Sequence, residues 1–367
     1  MRLALFFTYG MSLEKWDKNG SLNREIKPYQ ILAEKFGQVY FFTYGFKKDL
    51  EFQEKLGNGI IILPNKWKIP NTIYGFLMPF FYWKILKDID FLKTNQMAGS
   101  IPAVIAKIIF KKKLVARNGY EWLNVLIKEK KIFWKKAIVY FWEKIVYKVA
   151  DVIIFTSNKD KNFAQKKFNI QQEKIKVIPN YIDTEVFKPQ NIVFKKNSVV
   201  YVGRLSKEKN LLSLLQGVSL LPVPVKIVFI GQGSLQNKLK EFAQNNKVEV
   251  EFKGKINNND LPKELSQAEI FVLPSLYEGS PKALLEAMAC ECLCLGTDVE
   301  GINEVIQNGK NGYLCQTDAD SIKKGIWEIM SLPETEKEKI KKQSRKTILN
   351  NFSLEKILNK EVEIYIK

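Results

Sequence analysis

The 367 residues contain no histidine. That absence excludes Ser-His and Cys-His catalytic arrangements and any metal site built on imidazole, so a general base has to be another kind of group. Cysteine is nearly as scarce, with Cys290, Cys292 and Cys294 clustered and Cys315 apart, too few and too close for a secreted disulfide framework. Alternate spacing puts the first three on one face of an expected strand, where thiols behave as small buried hydrophobes, so reduced core thiols are expected. No apolar stretch is long enough to span a membrane, since the longest uncharged run, Ile69 to Trp83, is broken by Pro70, Asn71 and Pro79. The opening Met1-Arg2 and Leu3 to Tyr9 lacks a small-residue cleavage site, reads as a strand, and points to a cytoplasmic location. Internal repeats and low-complexity segments are absent.

What is present is an ordinary globular composition, 46% hydrophobic and 26% charged, with length for two domains that each have a core. The net charge is +19, and residues 1–190 hold 33 Lys and Arg against 17 Asp and Glu, so the excess belongs to the N-terminal half. There, Lys107 to Lys148 interleaves Lys111, Lys112, Lys113, Lys128, Lys130, Lys131, Lys135 and Lys136 with Trp122, Phe133, Trp134, Tyr140, Phe141 and Trp142. Such basic-aromatic helices suit peripheral contact with an anionic membrane, here the inner face of the cytoplasmic membrane; solvated helix faces in a lysine-rich chain are the plain alternative. Nucleic acid is a distant option, because no helix-turn-helix, finger, RNA-recognition or KH pattern accompanies the charge.

Short apolar runs alternate with helical stretches throughout, which predicts an α/β chain of parallel sheets covered by helices. Strands are expected at Leu3 to Thr8, Val39 to Thr43, Ile60 to Leu63, Phe91 to Thr94, Lys113 to Ala116, Val152 to Thr156 and Lys176 to Pro179. Tyr9 to Gly20 reads as a long loop, followed by Ser21 as the N-cap of a helix through Phe36. Pro189 to Ser198 is polar and places a domain boundary near 190. Beyond it, strands are expected at Val199 to Val202, Val225 to Ile230, Val248 to Phe252 and Ile270 to Leu273, with a further helix from Ile302 and a last strand at Tyr313 to Leu314.

The stretch Leu273 to Gly296, LPSLYEGSPKALLEAMACECLCLG, carries the chemistry. An apolar strand ends at Pro274, a turn follows at Glu278-Gly279, Ser280 fits an N-cap, Pro281 the first helical position, and Lys282 to Ala289 are strong helix formers. A helix N-terminus presents unsatisfied N–H groups and a positive dipole end, and Gly279 lets a ligand approach, so the element is an anion site suited to phosphate. Glu278 and Glu286 bracket that site from positions where carboxylates accept hydrogen bonds from sugar or ribose hydroxyls. Either acid alone is equally well explained as a solvated or dipole-stabilising residue. Arg204 and Lys209 follow the strand Val199 to Val202, where side chains point into the ligand crevice of an open parallel sheet, and they suit a diphosphate. Gly231-Gln232-Gly233 lacks the third glycine of a dinucleotide fingerprint, which makes NAD a weak candidate.

Taken together, Glu278-x7-Glu286 within YEGSPKALLEAMA, Gly203-Arg204-Leu205 and Lys209 upstream, and Gly301, Glu304, Gly309, Asn311 and Gly312 downstream resemble retaining glycosyltransferase family 4. The resemblance covers the C-terminal half closely and the N-terminal half loosely. It implies the GT-B fold, two Rossmann-like domains facing each other across a cleft, with residues 1–190 on the acceptor side joined by a returning C-terminal helix at about 352–367, and residues 191–351 binding the nucleotide sugar. It further implies Glu278, Arg204 and Lys209 as catalytic residues, and donor contacts from Gly203, Glu286, Gly279, Ser280, Pro281, Lys282 and Gly231, from Lys255 and Ile256 at the base, and from Gly20 in the first loop. Many members place a histidine of the first domain beside the donor sugar, which this chain cannot do; Arg117 or Asn118 in Arg117-Asn118-Gly119-Tyr120 is expected there, and Arg24 is a further candidate for orienting sugar or acceptor. No cofactor or metal is expected, the substrates being a UDP- or GDP-sugar and a glycan or lipid-linked acceptor. A nucleotide-sugar epimerase and a noncatalytic sugar-nucleotide-binding protein remain as alternatives. Asp88-Ile89-Asp90 superficially matches the metal-binding acid pair of the other large glycosyltransferase fold, without its surroundings.

Overall fold

The structure is a computed structural model that describes residues 1–119, 122–128 and 132–366. Tyr120, Lys130 and Lys131 lie outside the described residues, as does the side chain of Lys128. The chain divides into two compact units, Met1–Pro179 with Leu358–Lys367, and Asn180–Ile357.

The first unit contains β1 (Arg2–Phe6), β2 (Gln38–Phe42), β3 (Ile60–Leu63), β4 (Phe91–Thr94), β5 (Lys113–Asn118), β6 (Val152–Phe155) and β7 (Ile175–Val177). They pair in parallel in the order β3-β2-β1-β4-β5-β6-β7. Parallel strands are buried on both faces, which is why Leu3, Ala4, Leu5 and Phe6 form an unbroken apolar run without any exposed side chain. The order runs one way from β1 to β3 and the other way from β4 to β7, and right-handed crossovers therefore sort the helices. Leu22–Phe36 covers one face; Asn71–Phe81, Ser100–Phe110 and Phe133–Val149 cover the other.

The last helix, Leu354–Ile366, joins the face of Leu22–Phe36. Tyr365 packs edge-on against Phe36 with ring centroids 5.4 Å apart. Its Glu361 pairs with Lys93 of β4, both carboxylate and ammonium being almost completely buried. Lys93 also stands 4.9 Å from the centroid of the Tyr29 ring, and the Tyr365 hydroxyl donates to Glu361 at 3.1 Å.

The second unit contains β8 (Lys195–Val202), β9 (Lys226–Ile230), β10 (Val250–Gly254), β11 (Ala268–Leu273), β12 (Leu293–Thr297) and β13 (Tyr313–Cys315). These pair in parallel in the order β10-β9-β8-β11-β12-β13. The order reverses between β8 and β11, and the crevice beyond the carboxyl ends at such a reversal is where open α/β sheets bind ligands.

Several local expectations give way to the structure. Within Tyr9 to Gly20 lies a helix, Leu13–Lys18, because Ser12 caps it through Lys15 N–H at 3.1 Å and Leu13 and Trp16 bury together, Trp16 stacking on Phe7 at 4.3 Å. Ser21 occupies the N-cap position of Leu22–Phe36, yet its hydroxyl donates to the Trp16 carbonyl and makes no cap bond. Residues 299–305 form turns and no helix, since Gly301 takes φ of 88° at the point where a first helical turn would begin. Cys290 closes the preceding helix and Glu291 turns the chain at φ of 60°, so of the three clustered cysteines only Cys294 lies in a strand. All four thiols are buried and free.

The division between units falls after Pro179, ahead of the polar segment near 190. Asn180 to Pro189 belongs to the second unit because Ile182 pairs with Ser353 and Phe187 enters that unit's core.

Candidate active site

The carboxyl ends of β8, β11 and β12 are held by a few backbone-level contacts. Leu276 N–H, after β11, donates to the Glu208 carbonyl, after β8, at 2.9 Å. Thr297 Oγ1, at the end of β12, donates to the Ser275 carbonyl at 2.6 Å. Gly203 N–H donates to Ile230 at 2.9 Å, and Gly231 follows so closely that a Cβ there would stand 1.9 Å from the Gly203 carbonyl oxygen. With φ of 137°, Gly231 is a position that an L side chain rarely adopts.

Onto this frame the sequence places its charged groups. Lys209 Nζ donates to Glu278 Oε1 at 2.5 Å, and Ser275 Oγ donates to the same oxygen at 2.7 Å. Both side chains of the pair are mostly buried, at 15% and 13% exposure, so the interaction is poorly screened. An ammonium carries three donors and this contact uses one. Arg204, by contrast, is exposed and pairs with Glu208 Oε1 at 3.1 Å. Burial alone would raise the Glu208 carboxyl, but the Ser206 hydroxyl, its own backbone N–H and the Arg204 and Lys209 charges hold it below the ordinary range. Burial pushes the Tyr201 hydroxyl well above its ordinary value, with Glu278 and Glu208 adding to the effect. It therefore stays protonated and donates to the Arg204 carbonyl at 2.9 Å, fixing the bend that follows β8.

The helix Lys282–Ala289 forms where the sequence puts it, but its cap differs. Pro281, with φ −77° and ψ 82°, is the N-cap residue and supplies no side-chain cap bond. Ser280 lies one position further out, where its hydroxyl accepts Asn180 N–H at 3.4 Å. The uncapped first turn leaves helical N–H groups for an anion. Gly301 presses against the turn before this helix: a Cβ there would lie 2.6 Å from the Gly279 carbonyl oxygen and 2.8 Å from that of Glu278. Lys282 Nζ stands 5.0 Å from the centroid of the Tyr181 ring.

Glu286 is buried, just over one turn into the helix. Lys255 is exposed and Ile256 half-buried just after β10, at the same end of the sheet as Gly231. Thus Gly203, Arg204, Lys209, Glu278, Gly279, Ser280, Pro281, Lys282 and Gly231 gather at one end of one sheet. Gly20, Arg24, Arg117 and Asn118 belong to the other unit. Gly20 ends the helix Leu13–Lys18 at φ of 67°, and Arg24 pairs with Glu25 at 3.0 Å. Asn118 is fully buried and its Nδ2 donates to the Tyr147 hydroxyl at 2.6 Å. Arg117, next along β5, makes its field felt at Lys93 and Glu361.

Sequence reasoning gave no site role to Ser275, Glu208, Asn180 and Tyr181, whose parts depend on partners 2 to 101 positions away. The acids Asp88 and Asp90 serve the chain start, Arg2 pairing with Asp88 at 3.8 Å and Arg2 N–H donating to Asp90 at 2.8 Å.

The profile described as "Glycosyl transferases group 1" matches residues 183–347, and that described as "Glycosyltransferase Family 4" matches residues 30–186. An Escherichia coli UDP-Gal:alpha-D-GlcNAc-diphosphoundecaprenol alpha-1,3-galactosyltransferase is 32% identical over 62% of this chain, an alignment that spans 64% of that relative. An uncharacterized glycosyltransferase of Methanocaldococcus jannaschii, MJ1069, is 27% identical over 89% of each chain. Among solved structures, Anabaena Alr3699/HepE in complex with UDP superimposes with a TM-score of 0.78 at 16% identity over 99% of each chain. A glycosyltransferase from Rickettsia africae gives 0.75 at 19% identity over 99% of this chain and 97% of that one. The fold is GT-B.

Proposed function

The chain belongs to the group 1 glycosyl transferases of family 4, and on that premise we propose that it moves a hexose from a nucleoside-diphosphate sugar to a hydroxyl of a lipid-linked envelope glycan, with retention at the anomeric carbon. The observation that carries this reading is the Lys209–Glu278–Ser275 cluster beside an uncapped helix N-terminus at the reversal of the second sheet. A diphosphate fits there because its charge meets Lys209, Arg204 and the helical N–H groups together.

In the proposed reaction the bond between the anomeric carbon and the phosphate oxygen breaks, and its electron pair stays on the diphosphate. The acceptor hydroxyl oxygen bonds to the same face of that carbon, and its proton passes to the departing phosphate oxygen, so no side-chain base is required. Positive charge placed in advance where the leaving group develops negative charge lowers the barrier. Arg204 has to leave Glu208 to reach the phosphates, an exchange that its exposure permits; these two cations serve in place of a metal. The uridine diphosphate of the Anabaena neighbour and the UDP-galactose and diphosphoundecaprenol in the name of the Escherichia coli relative support UDP as the nucleotide and a polyprenyl-diphosphate acceptor. The first unit is then the acceptor side, working as a peripheral protein at the cytoplasmic face of the membrane. Among the described residues no helix is long and apolar enough to cross it.

Incubation with radiolabelled UDP- and GDP-sugars and short-chain polyprenyl-diphosphate glycans tests the proposal. Transfer is expected from a UDP-sugar, with Lys209→Ala lowering kcat by roughly 10²–10³, the range for removal of one donor from a developing anion. Donor hydrolysis or epimerisation without transfer to any acceptor would refute it, as would a Lys209→Ala variant of unchanged kcat.

A further inference from the structure

Three helices of the first unit, Asn71–Phe81, Ser100–Phe110 and Phe133–Val149, share one face of its sheet by the handedness of their crossovers. The middle one packs against both of its neighbours. Each buries the side that meets the sheet: Tyr74, Gly75 and Met78 on the first, Ala103 and Ala106 on the second, Val139, Val146 and Tyr147 on the third. The sides turned to solvent should then be polar. They are not.

On the first helix Ile73, Phe76, Leu77 and Phe80 stand between 38% and 52% exposed, at the i, i+3, i+4 and i+7 spacing of a single stripe. On the third, Trp134, Ile138, Phe141 and Ile145 form a second stripe, between 44% and 63% exposed. Monomeric proteins rarely leave two such apolar stripes bare on one side of a unit. The first helix carries no charge at all, whereas Lys135, Lys144 and Lys148 are exposed beside the second stripe, and Lys84, Lys87 and Lys111 are exposed near its end of the first.

We propose that this outer face, an apolar stripe on Asn71–Phe81 and a lysine-flanked aromatic stripe on Phe133–Val149, is the docking surface through which the first unit seats on an anionic lipid bilayer. The inference deepens the reading of a lipid-linked acceptor and rests on it for its purpose, though not for its physics. An apolar helix face lies in the boundary between headgroups and acyl chains, and lysines beside it meet the negative headgroups. A second copy of this chain would bring the same lysines together and leave them unneutralised, which is why charge selects the bilayer.

The two stripes make separable contributions. Phe76→Ser with Phe80→Ser removes apolar depth without altering charge; Lys135→Gln with Lys144→Gln removes charge without altering apolar area. Flotation of the full chain with vesicles of phosphatidylcholine containing phosphatidylglycerol reads both. The wild type is expected to float with the anionic vesicles and far less with pure phosphatidylcholine. The serine variant should bind at least tenfold more weakly at every salt concentration, and the glutamine variant about fivefold more weakly per lysine at low salt, converging with wild type as salt rises. All four positions are exposed, and unchanged circular dichroism and melting confirm the variants' folds. Transfer to a short-chain acceptor dissolved without membrane should be unaffected in both.

Failure of the wild type to bind anionic vesicles, or serine variants that bind as it does, would overturn the proposal. So would a concentration-dependent dimer abolished by the serine substitutions, which would assign the face to a second copy. Vesicle binding without transfer to any acceptor would instead refute the transferase reading and leave the docking surface standing.

Discussion

Replacing Glu361 by glutamine tests whether the buried pair between β4 and the last helix is what ties that helix to the first unit. In the native chain the Glu361 carboxylate meets Lys93 Nζ with side-chain exposures of 4% and 3%, so neither charge has water to fall back on. Burial pulls the Lys93 ammonium below its ordinary value, with Arg117 adding to the pull and Glu361 opposing it. For Glu361, burial would raise the carboxyl, but the Lys93 and Arg117 charges and the Lys93 and Tyr365 hydrogen bonds together hold it below the carboxylate range. Glutamine keeps the shape and removes the charge, leaving Lys93 buried and uncompensated, which costs about 3–5 kcal/mol in such pairs. With a urea m-value of about 2–3 kcal/mol/M, the first unit's unfolding midpoint should fall by roughly 1–2 M. Six of the seven tryptophans lie in residues 1–179, so tryptophan fluorescence reports that unit. The double variant Lys93→Met with Glu361→Leu should recover most of the loss, because an apolar pair of similar volume needs no desolvation.

The pH dependence follows from the same pair. A carboxyl held low in the folded state contributes stability that is complete above its unfolded value and disappears as pH falls through its folded value. The wild type should therefore lose stability on the acid side of the ordinary carboxylate range, and Glu361→Gln should show a shallower loss there. A single variant whose midpoint moves by less than about 0.3 M would refute the reasoning, since it would mean that water reaches Lys93.

Other outcomes can be checked directly. Gly231→Ala places a Cβ 1.9 Å from a carbonyl oxygen at a φ of 137°, so the second unit should melt well below the wild type; by contrast, Gly301→Ala should displace the Glu278–Gly279 turn and weaken UDP binding in calorimetry more than it weakens the fold. Burial pushes every thiol up, Cys315 to about 12, so a thiol-specific chromogenic reagent at pH 8 should label none of the four cysteines in the folded chain and all four in urea. Rapid labelling of the folded chain would place a thiolate at the surface and contradict the buried arrangement.

Much of the fold could be read from the chain because parallel strands announce themselves. Ile60–Leu63 is wholly apolar between Gly59 and Pro64, Phe91–Thr94 lies between Asp90 and Asn95, and the helix Lys282–Ala289 follows a turn and a proline, so their limits coincide with expectation. The structure departs from expectation where local propensity is weak and a distant contact decides. Leu13–Lys18 is six residues long and exists because Trp16 finds Phe7. Residues 302–305 have acceptable helix formers, yet Gly301 has to turn left-handed to clear the Glu278–Gly279 turn. The two compact units divide after Pro179 for a similar reason, Ile182 and Phe187 being claimed by the second core.

Sequence alone determined the composition of the site: an arginine and a lysine after one strand, a glutamate in a turn, and a helix start after another. These follow from residue type and spacing, which place the carboxyl ends of β8 and β11 and the start of the helix after Pro281. Tertiary structure decided how the charges spend themselves. Lys209 and Glu278 lie 69 positions apart, and only the adjacency of β8 and β11 brings them within 2.5 Å. The same long-range pairing gave Lys93 its partner 268 positions away. Electrostatic energy depends on distance and burial, and neither is written in the order of residues along a chain.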